Sequence, residues 1–133
     1  MNRKISILLV LLAAITLTVS FSKCKKDESC KVRIICRQSI TGVDTGAVIP
    51  QCEVEIGKDT YASYAHVTGV ANASGVFEYT FKLEALLDVK ANAEIKEPVT
   101  DSTFVEFPYE GAGQIKLIPG ETVEKTILLL KQQ

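Results

Sequence analysis

Residues 87–95 alternate without a break: Leu87, Val89, Ala91, Ala93 and Ile95 fall on one parity, Asp88, Lys90, Asn92 and Glu94 on the other. A helix would scatter those four polar residues around its circumference, whereas a strand collects them on one face. The same period of two returns in Val32, Ile34 and Cys36 against Arg33 and Arg37, although Ile35 is apolar on the second face. It returns again in Cys52, Val54 and Ile56 against Glu53 and Glu55, and in Phe77, Tyr79, Phe81 and Leu83 against Glu78, Thr80 and Lys82. Further strands read at 60–68, 102–108, 113–118 and 122–131, and Pro98 and Pro108 bracket residues 99–107, which confines that piece to an edge. Turn signals fall between the runs at Thr41-Gly42, Asn72-Ala73-Ser74-Gly75, Glu110-Gly111-Ala112-Gly113 and Pro119-Gly120. Seven or eight short strands with no helical pattern between them predict an all-β fold, a single antiparallel β-sandwich.

The chain begins in a different character. Met1-Asn2-Arg3-Lys4 leads into an apolar run over 5–21, followed by Ser22-Lys23-Cys24-Lys25-Lys26-Asp27-Glu28. That run is at the bottom of the length range for a membrane span and carries Thr16, Thr18 and Ser20 in its second half, so a cleaved signal helix fits better than a retained anchor. Arg3 and Lys4 hold the start in the cytoplasm.

The stretch from Val19 to Glu28 resembles a lipobox, in which a cysteine takes a diacylglyceryl group on its thiol and becomes the new N-terminus. Cys24 is the lipid-attachment residue that this resemblance implies, with Lys23 standing where such motifs carry a small residue and Phe21 where Leu is commoner. Lys25-Lys26-Asp27-Glu28 is similar to the charged tails of Bacteroidota lipoproteins, which implies an outer-membrane or surface address in the cell envelope, with the side of the membrane that the domain faces left open. The division read from this is a signal peptide over 1–23, a lipidated tether over 24–30 and a β-sandwich domain over 31–133.

Removal of residues 1–23 takes away three of the fifteen basic residues and none of the sixteen acidic ones, which leaves a formal net charge of −4 on 110 residues. A mildly acidic, well-mixed surface argues against nucleic acid as a partner. A chain of that length buries one core and has no room for two.

A second resemblance spans residues 31–131. Gly46-Ala47 leading into Cys52-Glu53-Val54-Glu55-Ile56-Gly57, then Asn72-Ala73-Ser74-Gly75-Val76-Phe77, then Leu117-Ile118-Pro119-Gly120-Glu121-Thr122, looks like the transthyretin-like sandwiches of the carboxypeptidase regulatory domain type. That family carries a Thr-Asp-x-x-Gly-x-Phe turn; here Ala71 replaces the Thr and Asn72 the Asp, and Asn still supports an Asx-type turn. The related Cna-B-like sandwiches include members with a Lys-to-Asn isopeptide bond between first and last strands. Lys31 is present here, but residues 121–131 hold no Asn or Asp, so no such bond is expected.

With Cys24 lipidated, Cys30, Cys36 and Cys52 remain. By alternation Cys36 and Cys52 both face the core, and the residues leave open a disulfide between them or two buried thiols. Cys30, in the tether, reads as free or intermolecular. Three Cys and one His are formally enough for zinc, yet the paired Cys-x-x-Cys knuckle of a structural site is missing, so no metal or other cofactor is expected.

Catalysis finds little support. His66, the sole histidine, falls on the more polar face of its strand and reads as a surface residue. No G-x-S-x-G, H-E-x-x-H or phosphate-cradling glycine loop occurs, and Glu53 with Glu55, or Glu94 with Glu97, read as solvated strand faces. The expectation is a non-enzymatic lipoprotein whose sandwich binds, adheres or assembles, with an envelope protein or a surface glycan as partner. The alternative is an accessory domain that positions a peptidase or a larger envelope complex. Loops 39–49, 57–61 and 108–113 are the candidate contact surfaces, with Tyr61 and Tyr109 as candidate aromatic anchors beside Tyr64.

Overall fold

The structure is a computed structural model that describes residues 28–133, so the signal segment and Cys24 lie outside the described residues. Seven strands follow one another: β1 (Cys30–Ser39), β2 (Glu53–Ile56), β3 (Val67–Val70), β4 (Val76–Phe81), β5 (Leu86–Thr100), β6 (Thr103–Lys116) and β7 (Thr122–Lys131). They form one sheet in the order β3-β2-β5-β6-β7-β1-β4, rolled nearly into a barrel around its apolar face. Among the described residues no helix is long and apolar enough to cross a membrane.

The alternation marks the buried face correctly. Val32, Ile34 and Cys36 of β1, Val54 and Ile56 of β2 and Leu87, Val89 and Ala91 of β5 meet Phe81, Ile115, Leu117, Ile127 and Leu129 in one core. Lys31, Arg33, Lys90 and Asn92 face outward, where the three charges and the amide keep their water. Strand direction departs from the expectation. β1 and β7 pair in parallel, from Lys31 opposite Thr122 to Ser39 opposite Leu130, so the sheet is mixed rather than purely antiparallel. Alternation reports which face a residue occupies and carries no information about the direction of the neighbouring strand.

Three boundaries also move. The strand read at 60–68 starts only at Val67, because Gly57, at φ +84°, turns the chain into a loop that includes a single 3-10 turn, Ser63–Ala65. Cys30, placed in the tether by sequence, opens β1 and is fully buried, with its Sγ 3.8 Å from the carbonyl of Glu28. The pieces at 102–108 and 113–118 are one strand, which pairs with β5 from Leu86 opposite Lys116 to Thr100 opposite Thr103.

That long hairpin runs straight through both prolines. In an antiparallel strand the N–H and C=O of one residue point to the same side. The carbonyls of Asp88 and Asn92 point toward β2, meeting the Gly57 N–H at 2.8 Å and the Cys52 thiol at 3.3 Å, so even-numbered residues of β5 turn their backbone away from β6. Pro98 is one of them. On β6, the carbonyl of Pro108 accepts the Gln132 N–H at 2.8 Å from the β7 side, so its ring nitrogen also faces away from β5. Neither ring removes a ladder bond between the two strands.

Gly111 and Gly113, read as part of a turn, instead lie inside β6. β6 and β7 pair only at Tyr109 with Lys131 and at Glu110 with Leu130, and beyond that point the β7 backbone passes close beneath β6. A Cβ on Gly111 would stand 2.4 Å from the Leu128 carbonyl oxygen, whereas one on Gly113 would meet the movable Cδ1 of Ile127 at 3.0 Å. Gly111→Ala is therefore expected to cost about 1–3 kcal/mol, read from the urea midpoint at unchanged slope, and Gly113→Ala less. Equal, negligible effects of the two substitutions would show that the close approach does not constrain the fold.

Candidate binding surface

Register divides the molecule into two poles. The described chain begins where Ser29 accepts the Gly120 N–H and Lys31 pairs with Thr122; this is the N-terminal pole. The other end of β1, Ser39, lies beside Leu130, and Leu130 pairs with Glu110. Ten residues of strand separate the two, about 30 Å. The loop after Ser39 and the far half of the β5–β6 hairpin therefore share the distal pole.

Residues 39–44 of the loop are gathered by a single carboxylate, and Gly46 and Ala47 are tied back to Gln38 by backbone bonds. Asp44 accepts the Ser39 hydroxyl at 2.8 Å, the Ile40 N–H at 3.1 Å, the Thr41 N–H at 2.6 Å and the Thr41 hydroxyl at 2.5 Å. Ser39 Oγ in turn accepts the Gly42 N–H at 2.9 Å, and Gly42 sits at φ +84°, a conformation that glycine adopts without strain. With its backbone so tied, the loop turns Ile40 and Val43 outward, each 86% exposed. Aliphatic side chains held bare on a preset backbone lose little conformational freedom when something covers them.

The hairpin beyond Tyr109 is a two-stranded arm. Seven residues of β5 (94–100) and six of β6 (103–108) carry it about 20 Å beyond the Ala93–Tyr109 pair, with Ile95 and Phe107 still resting on the core. A two-stranded ribbon is only marginally stable in water, and this one is braced at its root. Tyr109 donates to Glu97 and accepts from Gln38 Nε2 at 2.9 Å; Lys131 reaches Glu97 at 2.6 Å and lies 3.3 Å over the Phe107 ring. The Lys131 ammonium first, and the Tyr109 hydroxyl second, hold the Glu97 carboxyl below its ordinary value, while the Glu97 carboxylate pushes the Tyr109 hydroxyl up. Past that brace, Val99, Phe104 and Val105 are exposed, Phe104 by 63%, and Val99 bulges where the register shifts.

The two candidate anchors are not brought together. Tyr109 is 4% exposed and belongs to the core, so it steadies the arm and offers no ring to a partner. Tyr61 is half-exposed, with the Lys58 ammonium 5.9 Å from its ring, but its loop follows β2 at the N-terminal pole, as does the exposed Tyr64. The distal loop falls within the expected 39–49 surface, whereas the arm tip was read only as an edge. Sequence reasoning missed Asp44 as the clamp; Ser39, Thr41 and Asp44 in close succession are the signal that carried it.

Two other groups have defined geometry. His66 Nε2 lies 3.0 Å from Glu55 Oε1, a partner acid supplied across the β2–β3 hairpin and invisible in local sequence. An open groove of about 830 Å³ crosses the outer face where β6 leaves β7, with Glu55 and Glu110 opposing Lys90 and Lys125 over a floor of Gly111 and Gly113. Among the described residues no group of three or more His, Cys, Asp or Glu is placed to hold a metal ion. Cys36 and Cys52 are both fully buried free thiols; the neighbouring Cys52 thiol draws that of Cys36 down, while Cys36 and burial push that of Cys52 up.

The clamp has a pH signature. The Thr41 hydroxyl first, then the Thr41 and Ile40 amides and the Ser39 hydroxyl, hold the Asp44 carboxyl well below the carboxylate range. A depressed folded value means that the ordering it contributes is complete above the unfolded pKa of ~3.9 and is lost as pH falls through the folded value. Slow hydrogen exchange at the Ile40 and Thr41 amides is expected to persist below pH ~3.9, and to disappear at neutral pH in Asp44→Ala. Loss of protection already near that pH, or an unchanged Asp44→Ala, would remove the clamp from the account.

Comparison with protein-family models, with curated proteins and with solved structures gives no match for this chain.

Proposed function

We propose that the chain is a non-enzymatic binding module of the cell envelope, carried on a lipid at Cys24 and presenting its distal pole to a protein partner. The observation that carries this reading is the opposition of the poles: the described chain begins at one end, where Tyr64 and Leu86 are exposed, and the two bare aliphatic side chains of the clamped loop and the apolar tip of the arm stand together at the other. A tether at Cys24 then leaves Ile40, Val43 and Phe104 facing outward from the membrane. Aliphatic side chains favour an apolar protein surface over a sugar, which needs hydrogen-bonding groups for its hydroxyls.

The fold half of the proposal is a transthyretin-like sandwich, with β3-β2-β5-β6 packed on β7-β1-β4 and the two layers joined at the two β6–β7 pairs. The turn before β4 supports it. Asn72 Oδ1 accepts the Ser74 and Val76 N–H groups at 2.9 and 3.1 Å, Gly75 adopts φ +73°, and Phe77 re-enters half-buried. These are the roles that the family's turn assigns to its Asp, Gly and Phe.

Two measurements test the reading. Metabolic labelling with a clickable palmitate is expected to mark the wild type and not Cys24→Ala, and a labelled mutant would move the anchor elsewhere. A photocrosslinking residue at position 43 or 104 is expected to trap one defined envelope protein in intact cells, whereas the same residue at position 64 is not; trapping from all three positions alike, or from none, would remove the distal pole as the docking surface.

A further inference from the structure

We infer that Cys36 and Cys52 form a disulfide that is made while the chain folds and is then sealed inside the core. The backbone brings them together. The chain leaves β1, turns at the Asp44 loop and comes back beside it: Arg37 bridges Val48, and the Ile49 N–H bonds the carbonyl of Cys36 itself at 2.9 Å. Gln51, at φ +56°, then turns the chain across the core, so that Cys52 enters between Ala71, whose N–H bonds its carbonyl at 2.8 Å, and Asn92, whose carbonyl lies 3.3 Å from its Sγ. Three strands separate β1 from β2 in the sheet, yet the Asn72–Gly75 turn accepts the Gln51 N–H at one end and the Cys36 N–H at the other, and both cysteine side chains are buried in the one core.

The third cysteine does not compete. Cys30 is on β1 itself, six residues before Cys36, about 20 Å along the strand. Bridged cysteines need α-carbons within ~7 Å, so Cys30 cannot pair with Cys36, and the backbone bonds that bring Cys52 toward Cys36 hold it at the far end of β1 from Cys30. Neither sulfur is exposed, so an oxidant reaches them only before the core closes.

The chemistry is thiol–disulfide exchange with a disulfide-bearing oxidant. One cysteine thiolate attacks the oxidant's disulfide and expels one of its sulfurs as a thiolate; the second cysteine thiolate attacks the mixed disulfide and expels the other. Two protons and two electrons leave the pair, one S–S bond forms in the chain, and the oxidant departs as two thiols. The link closes a ring over residues 36–52, which ties the Asp44 loop to the core at both of its ends. In a cell the oxidant comes with export, and so rests on the proposed envelope address; the experiment supplies its own.

Full-length chain, reduced and unfolded, is refolded in mild detergent with glutathione and glutathione disulfide, then unfolded without reductant and alkylated with iodoacetamide. Trypsin places Cys30, Cys36 and Cys52 in separate peptides, 27–31, 34–37 and 38–58. The expected product is 34–37 joined to 38–58, lighter by two hydrogens than the pair, whatever the fate of Cys24 in cells. The link should survive dithiothreitol while the domain is folded and yield to it in urea. The oxidised chain should show an unfolding equilibrium constant on the order of a hundredfold smaller than the reduced chain. Alkylation of both peptides, or a link through 27–31, overturns the pairing, and rapid reduction of the folded domain overturns its burial.

Discussion

The parallel seam between β1 and β7 is what the remaining architecture depends on. Every other strand pair is antiparallel, and most join neighbours in sequence, but this seam joins the first strand to the last over nine residue pairs. It sets Val32 opposite Val123 and Cys36 opposite Ile127, and the inward residues of both strands join those of β5 in one core. A contact between chain ends must be closed against the entropy of everything between them, so its side chains have to recover that cost by burial. The fully buried residues of β1 and β7 supply it.

Much of the buried face was legible in sequence because alternation is local. Leu87, Val89 and Ala91 point inward whatever strand lies beside them, and Asn72 with Gly75 makes its turn from its own side chain and backbone. Local patterns fail where one residue type serves two purposes. Gly111 and Gly113 look like a turn, yet the chain needs them because another backbone passes within contact of the first. Pro98 and Pro108 look like strand ends, yet both rings face away from the partner strand of the hairpin and leave its ladder whole. Tyr109 looks like a surface anchor from its place among turn residues, and its burial depends on Gln38 and Glu97, which are remote in sequence. The parallel seam left no local trace at all.

The distal pole is built in two different ways. The loop after β1 is held at its start by one half-buried carboxylate that collects four hydrogen bonds, so its order there is polar, local and sensitive to acid. The arm is held at its root by a buried phenol, an ion pair and a cation over an aromatic ring, while its tip rests on strand pairing alone. One element is therefore rigid where it is exposed, whereas the other is rigid only where it leaves the core. A partner that covered both would meet a fixed pair of aliphatic side chains beside an adjustable aromatic one.

The prolines of the arm have a consequence beyond allowing the hairpin to form. A protruding ribbon with two open edges is a template on which another strand can grow, and long exposed hairpins with apolar residues are where folded proteins begin to polymerise. Pro98 takes one outward N–H from the first edge, Pro108 takes one from the second where that edge leaves Gln132, and the bulge at Val99 breaks the repeat next to the tip. A neighbouring arm that tried to extend the sheet would find the backbone pattern interrupted on either side. Contacts to the arm are left to its side chains, so the domain can display Phe104, Val99 and Val105 at high local density without its copies knitting into a common sheet.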